Sequence, residues 1–173
     1  MGYYSLIDTN KNEVNEYASK IGILITLLNY LDFNIQIFIE AILEPKSDET
    51  TAKPVIELSR EFSFAKRVVF LDALIKSKHK KEYSDFPKIK EAITTCNNIR
   101  NNFAHSQMYF WDNDKGTHMF IHNMKKTNQP PEKSYEQVTR KELDKYIELF
   151  EKTIKKFEDF TYELGYFQGH RIE

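Results

Sequence analysis

The chain has 173 residues, with 25 Lys+Arg against 26 Asp+Glu, 40% hydrophobic and 29% charged residues, and a formal net charge of −1. That size can bury a sizeable core, and near-neutrality excludes a bulk-charge nucleic-acid packager, so any contact with RNA or DNA has to come from a local patch. Thirteen Phe and ten Tyr against five Gly and five Pro argue against disorder and turn-dense all-β folds, and the one cysteine, Cys96, excludes a disulfide framework and a thiolate zinc site.

The opening residues MGYYSLIDTNKNE carry neither a basic nor an apolar targeting segment, which makes the cytoplasm the expected location. Val14, Tyr17, Ile21, Leu24, Leu28, Leu31, Ile35, Phe38 and Ile42 then recur at alternating steps of three and four, the pattern of a long amphipathic helix. Ile21 to Leu43 is hydrophobic enough to suggest a membrane span, but Asn29, Asp32, Asn34, Gln36 and Glu40 interrupt it. A central Asp alone opposes insertion by about 2.5–3.5 kcal/mol, so no membrane is expected. A second apolar set, Ile23, Leu27, Tyr30, Phe33 and Ile37, widens the apolar face beyond one core contact and predicts a partner, most simply a second copy of the chain.

Residues 44–60 hold Pro45, Ser47, Asp48 and Pro54 and read as a connector with at most a helical turn near its end. Phe64, Val68, Leu71 and Ile75 mark a second helix over Phe62 to Ile75, followed by a basic loop, KSKHKK, at 76–81. Ser84 and Asp85 are capping residues, Pro87 suits a first turn, and Ile89, Ile93, Cys96, Ile99 and Phe103 give a third helix its stripe. YFW (109–111), DNDKG (112–116) and THMFIH (117–122) predict a β-hairpin, and 125–134 a loop. Thr139 and Glu142 form a capping box that opens a last helix with Leu143, Ile147, Phe150, Ile154, Phe157 and Leu164 inside. The expected fold is therefore mainly all-α, a single domain over 1–173. It is a bundle of four to five helices, with a β-hairpin at about 107–124 inserted before the last one and a flexible tail at about 165–173.

The chemically informative string is CNNIRNNFAHSQ, residues 96–107. At about 100° per residue, Arg100 lies only about 40° from Cys96 in the apolar stripe, so a cation is aimed beside a surface the helix buries. It needs a carboxylate, carbonyl oxygens or a bound phosphate as partner. His105 points about 140° away from Arg100 on a continuing helix. The two converge if the helix ends near Ala104 or if two copies share a cleft. A purely structural role, bonding terminal carbonyls and offsetting the helix dipole, is open to both residues.

Arg100, Asn101 and His105 in IRNNFAHS closely resemble the signature of the HEPN superfamily (higher eukaryotes and prokaryotes nucleotide-binding): an Arg, a polar residue, three more residues and a His late in the third long helix of an α-helical bundle. The preceding FSFAKRVVFLDALI is similar to the second helix of several bacterial branches, including relatives of the mannitol-operon repressor. The resemblance covers roughly residues 62–106. Bacterial HEPN toxins encoded beside nucleotidyltransferases usually carry Tyr two residues after the His; here that position is Gln107, and no modification site carries over.

The resemblance implies cleavage of RNA without metal or cofactor, by a homodimer paired through the first helix and the motif helix. In this scheme His105 moves the proton, Arg100 holds the phosphoryl oxygens, and Asn101 orients His105 or the phosphate. Lys66, Arg67, Asn102, Lys78, Lys80 and Lys81 are candidate contacts to the RNA backbone. Tyr109, Phe110 and Trp111 either stack on unpaired bases or form hairpin core, with core favoured. His118 and His122 are too far apart along a strand, about 13 Å, to share a metal. The family also implies a role as toxin or anti-phage effector with a neutralising or defence-system partner protein. The alternative it offers is a catalytically silent domain that binds a nucleotide, RNA or protein as a regulator.

Overall fold

The stripe that begins at Val14 builds the longest element, α1 (Asn12–Leu43), in the computed structural model of the chain. All nine stripe residues from Val14 to Ile42 are buried, each contributing about 1.5–3 kcal/mol of apolar transfer. Residues 3–4, 12–44, 49–113, 116–123 and 135–166 are described. The connector residues 45–48, the turn centre at 114–115, the expected loop at 125–134 and the tail beyond Tyr166, with His170, lie outside them.

After β1 (Tyr3–Tyr4) and α1 come α2 (Glu49–Arg60), α3 (Phe64–Lys78), a 3₁₀ turn at Glu82–Ser84, and α4 (Phe86–Ala104). The strands β2 (Ser106–Asn113), β3 (Gly116–Asn123) and β4 (Tyr135–Val138) precede α5 (Arg140–Glu163). The fold is thus mainly helical with a small antiparallel sheet inserted before the last helix, as the sequence pattern predicts. The chain forms two compact units, residues 1–27 with 98–150, and residues 28–97 with 151–173.

In the first unit the sheet has the order β1-β2-β3-β4, all antiparallel, so the expected hairpin is the centre of a larger meander. Its register pairs Gln107 with His122, Tyr109 with Phe120 and Phe110 with Met119. Phe110, Met119, Ile121 and Val138 point inward and are buried, with the Phe110 ring 5.9 Å from that of Tyr17 on α1. Glu13 accepts a 2.6 Å bond from the Thr117 amide, and Arg140 bonds Glu16 at 2.8 Å, tying the start of α1 to β3 and to the start of α5. The expected capping box is formed: the Thr139 amide donates to Glu142 Oε2 at 2.7 Å and the Glu142 amide to Thr139 Oγ1 at 3.2 Å.

In the second unit Phe38 meets the edges of Phe157 and Tyr166 at 5.7 and 5.2 Å, and Phe86 packs on Phe160 at 5.5 Å. Three expectations are corrected here. The stretch read as a connector contains a twelve-residue helix, α2, with Pro54 inside it. Pro54 forgoes one backbone bond, which costs about 3 kcal/mol in an isolated helix. Tertiary ties offset this: Ser59 is fully buried, bonded to the Ile56 carbonyl at 2.7 Å and to Gln36 at 3.0 Å, while Arg60 clamps Glu40 through two bonds of 2.8 and 3.0 Å. Second, the basic run at 76–81 is not all loop, because α3 continues to Lys78. Lys78 Nζ donates to the Ile42 carbonyl at 2.8 Å, satisfying an acceptor in the last turn of α1. Third, Gly165 and Tyr166, where the flexible tail is expected to begin, instead close the last helix. That glycine has φ 81°, and the amides of Gly165 and Tyr166 bond the carbonyls of Tyr162 and Thr161 in a Schellman closure. Tyr166 is thereby placed to bond His79 Nε2 at 2.9 Å.

Among the described residues one helix, α1, is long and apolar enough to cross a membrane by length and composition, with 33% of its most apolar window buried. Four of the five polar residues that interrupt it, Asp32, Asn34, Gln36 and Glu40, have partners on other helices. Asp32 pairs with Arg67, Glu40 with Arg60, and Asn34 with Glu158 at 3.3 Å.

Candidate functional site

The motif residues sit where α4 stops. Ile93 and Cys96 are fully buried and Phe103 is buried, so the stripe anchors α4 through its last turn and fixes Arg100 beside that face, half-buried. The helix ends at Ala104, the condition under which Arg100 and His105 can converge. The His105 amide still bonds the Asn101 carbonyl at 3.1 Å, and its side chain is exposed, with no bonding partner among the described residues.

Arg100 is under-satisfied. Its Nη1 donates to Asn101 Oδ1 at 3.2 Å, its Nε is buried without a partner, and among the described residues no carboxylate pairs with it. A half-buried guanidinium with only a neutral amide as partner retains most of its capacity to bind an anion. Asn101, expected to orient His105 or a phosphate, accepts this bond from Arg100. Asn102 is exposed beside them.

The other expected RNA contacts divide. Lys66, Lys80 and Lys81 are exposed. Arg67 is not free to meet a backbone phosphate: it pairs with Asp32 and donates to the Phe62 carbonyl at 2.8 Å, closing the end of α2. Lys78 is likewise committed, to Ile42. Both bonds have one cause, the demand of buried or terminal backbone oxygens and of Asp32 for donors. Lys66, Arg67, Lys78, Lys80 and Lys81 belong to the second unit, the Arg100–His105 segment to the first.

Of the aromatic run after the motif, Phe110 is core, as favoured, whereas Tyr109 is turned to the opposite face of the sheet. There the sequence reading missed a group: Gln107, Tyr109, His118, Phe120, His122, Tyr135 and Gln137 all lie on the side away from the buried one. Strict alternation in QMYF and THMFIH was the available signal. The Cys96 thiol, 3.6 Å from Thr153 Oγ1, is pushed above its ordinary pKa by burial, in keeping with a core residue. No set of three or more metal-ligating side chains clusters among the described residues.

In comparison with known proteins, the chain matches no family model, no curated protein and no solved structure.

Proposed function

We propose that the protein is an endoribonuclease of the HEPN kind, acting on single-stranded RNA as a homodimer whose two Arg100–His105 motifs share one cleft. The observation that carries this reading is the state of Arg100. It is half-buried near the end of α4, and its guanidinium meets a neutral amide and, among the described residues, no carboxylate, five positions before an exposed His105. A helix-stabilising Arg bonds carbonyls or acids; this one leaves its charge for a ligand.

The reaction needs no redox partner. One His105 takes the proton of the ribose 2′-hydroxyl, the 2′ oxygen bonds to the adjacent phosphorus, and the bond from phosphorus to the 5′ oxygen breaks. The leaving oxygen takes a proton from the second His105. The products are a 2′,3′-cyclic phosphate and a 5′-hydroxyl. Arg100 stabilises the phosphoryl oxygens as charge builds, and Asn101 keeps its guanidinium in place. The apolar residues left exposed on α1, Tyr30 at 44% and Phe33 at 61%, suit a surface that meets the second copy. The cytoplasm is the site of action in this reading, and a toxin or anti-phage effector restrained by a partner protein is the biological role that fits it.

The test is cleavage of single-stranded RNA with and without EDTA, with the product ends mapped. The wild type yields cyclic-phosphate ends insensitive to EDTA. Arg100→Ala and His105→Ala, each folded by circular dichroism, lose about 100-fold or more in rate. Unchanged cleavage by either variant overturns the assignment. RNA binding without cleavage by the wild type favours a silent regulatory domain instead.

A further inference from the structure

Directly after His105 the chain enters β2, and the outer side of the sheet it begins carries an unusual set of side chains. Tyr135 is 46% exposed and meets two other rings: the His122 ring stacks on it at 4.8 Å and 25°, and the Tyr109 ring meets it edge-on at 5.7 Å. Phe120 lies between Tyr109 and Gln137 in the register. The amides of Gln107 on β2 and Gln137 on β4 are bonded to Tyr109 Oη and, at 2.9 Å, to His118 Nδ1. His122 Nδ1 is buried and has no partner among the described residues. None of the residues at the described positions of this face is a carboxylate, although Asp and Glu together number 26 in the chain.

Aromatic side chains on a sheet face can stack on splayed, unpaired bases, and amide and imidazole groups beside them offer donors and acceptors to base edges. A face that meets a basic partner would be acidic. This face is aromatic, polar and free of repulsion toward phosphate.

We propose that the outer face of the β2-β3-β4 sheet is a stacking platform for single-stranded RNA, with Tyr135 and Tyr109 as the base-stacking residues and His122 as a base-edge contact. The platform rests on the ribonuclease reading only for its purpose, which is to hold unpaired bases beside the strand that leaves His105.

The experiment separates the two. Binding is measured by fluorescence anisotropy with the full chain and a labelled 2′-O-methyl oligonucleotide, which cannot be cut because its 2′ oxygen is blocked, single-stranded or annealed to its complement. The wild type binds the single strand about tenfold or more tighter than the duplex. Tyr135→Ser and Tyr109→Ser each weaken single-strand binding about 5- to 100-fold, while Tyr135→Trp retains it. Tyr135 is exposed and the inward face is untouched, and a circular dichroism melt confirms that each variant is folded. Wild-type affinity in the folded double variant, or no preference for the single strand, overturns the platform. A protein that binds through Tyr135 but cuts no RNA overturns the ribonuclease reading and keeps the platform. Equal cleavage and equal binding by wild type and the double variant does the reverse.

Discussion

Two half-buried arginines show how neighbours decide the role of one residue type. Arg67 is consumed by structure: Asp32 faces it, the carbonyls of Phe62 and Arg60 accept its Nη2, and its side chain is only 12% exposed. Both have a buried Nε without a partner among the described residues, but the one partner of Arg100 is a neutral amide. Truncating Arg67 strands an acid and the end of α2, so Arg67→Ala is expected to lower unfolding free energy by about 1–3 kcal/mol in urea titrations. The RNA affinity of its folded fraction stays at the wild-type level. A loss of affinity in the folded state would return Arg67 to the RNA surface. Neither outcome was readable from FAKRVV, where Lys66 and Arg67 stand side by side; the fold brings Asp32, 35 positions away, to one and not the other.

At the level of elements, end chemistry explains both what could be foreseen and what could not. The Thr139–Glu142 box is a local pattern and forms as written. Bonds from the Thr139 side chain and amide hold the Glu142 carboxyl below its ordinary pKa of 4.5, as the Thr117 amide does for Glu13 and the Arg60 guanidinium for Glu40. A carboxylate whose folded pKa is depressed adds stability above its unfolded pKa, and that stability is lost as the pH falls through the folded value. Urea titrations should therefore give stability that is level near neutrality and declines below about pH 4.5. Thr139→Ala is expected to cost about 1 kcal/mol at neutral pH and to make the acid decline shallower. An unaltered acid limb in that variant would refute the assignment. Helix α2 is the counterexample, since Pro54 argues locally against a helix that Ser59 and Arg60 secure from outside. The sheet is intermediate: alternation places Phe110, Met119 and Ile121 inward, but the pairing of β4 with β3 joins Tyr135 to His122 across a stretch of chain with no periodic signal.

For the whole molecule, a net charge of −1 leaves local groups to select any partner. The exposed apolar residues Tyr30 and Phe33 lie on the same helix as the deepest core positions, Leu31, Ile35 and Phe38. If they pair two copies, sedimentation velocity of the wild type gives a dimer and Phe33→Asp a folded monomer with lost cleavage, because the shared cleft is dissolved. A Phe33→Asp dimer with full activity would place the interface elsewhere. The sequence by itself determined the helices with strong apolar periods, the cap that opens α5, the hairpin, and the position of Arg100, Asn101 and His105 at the end of α4. These rest on contacts within a few residues, where spacing alone fixes which side chains share a face. Only the tertiary structure decided that α2 is a helix, that Arg67 and Lys78 bond Asp32 and Ile42, that Arg100 has no acid partner among the described residues, and that Tyr109, His122 and Tyr135 meet on one sheet face. Each of those depends on partners distant in sequence, and burial sets their free energies by deciding which donors and acceptors are left without water.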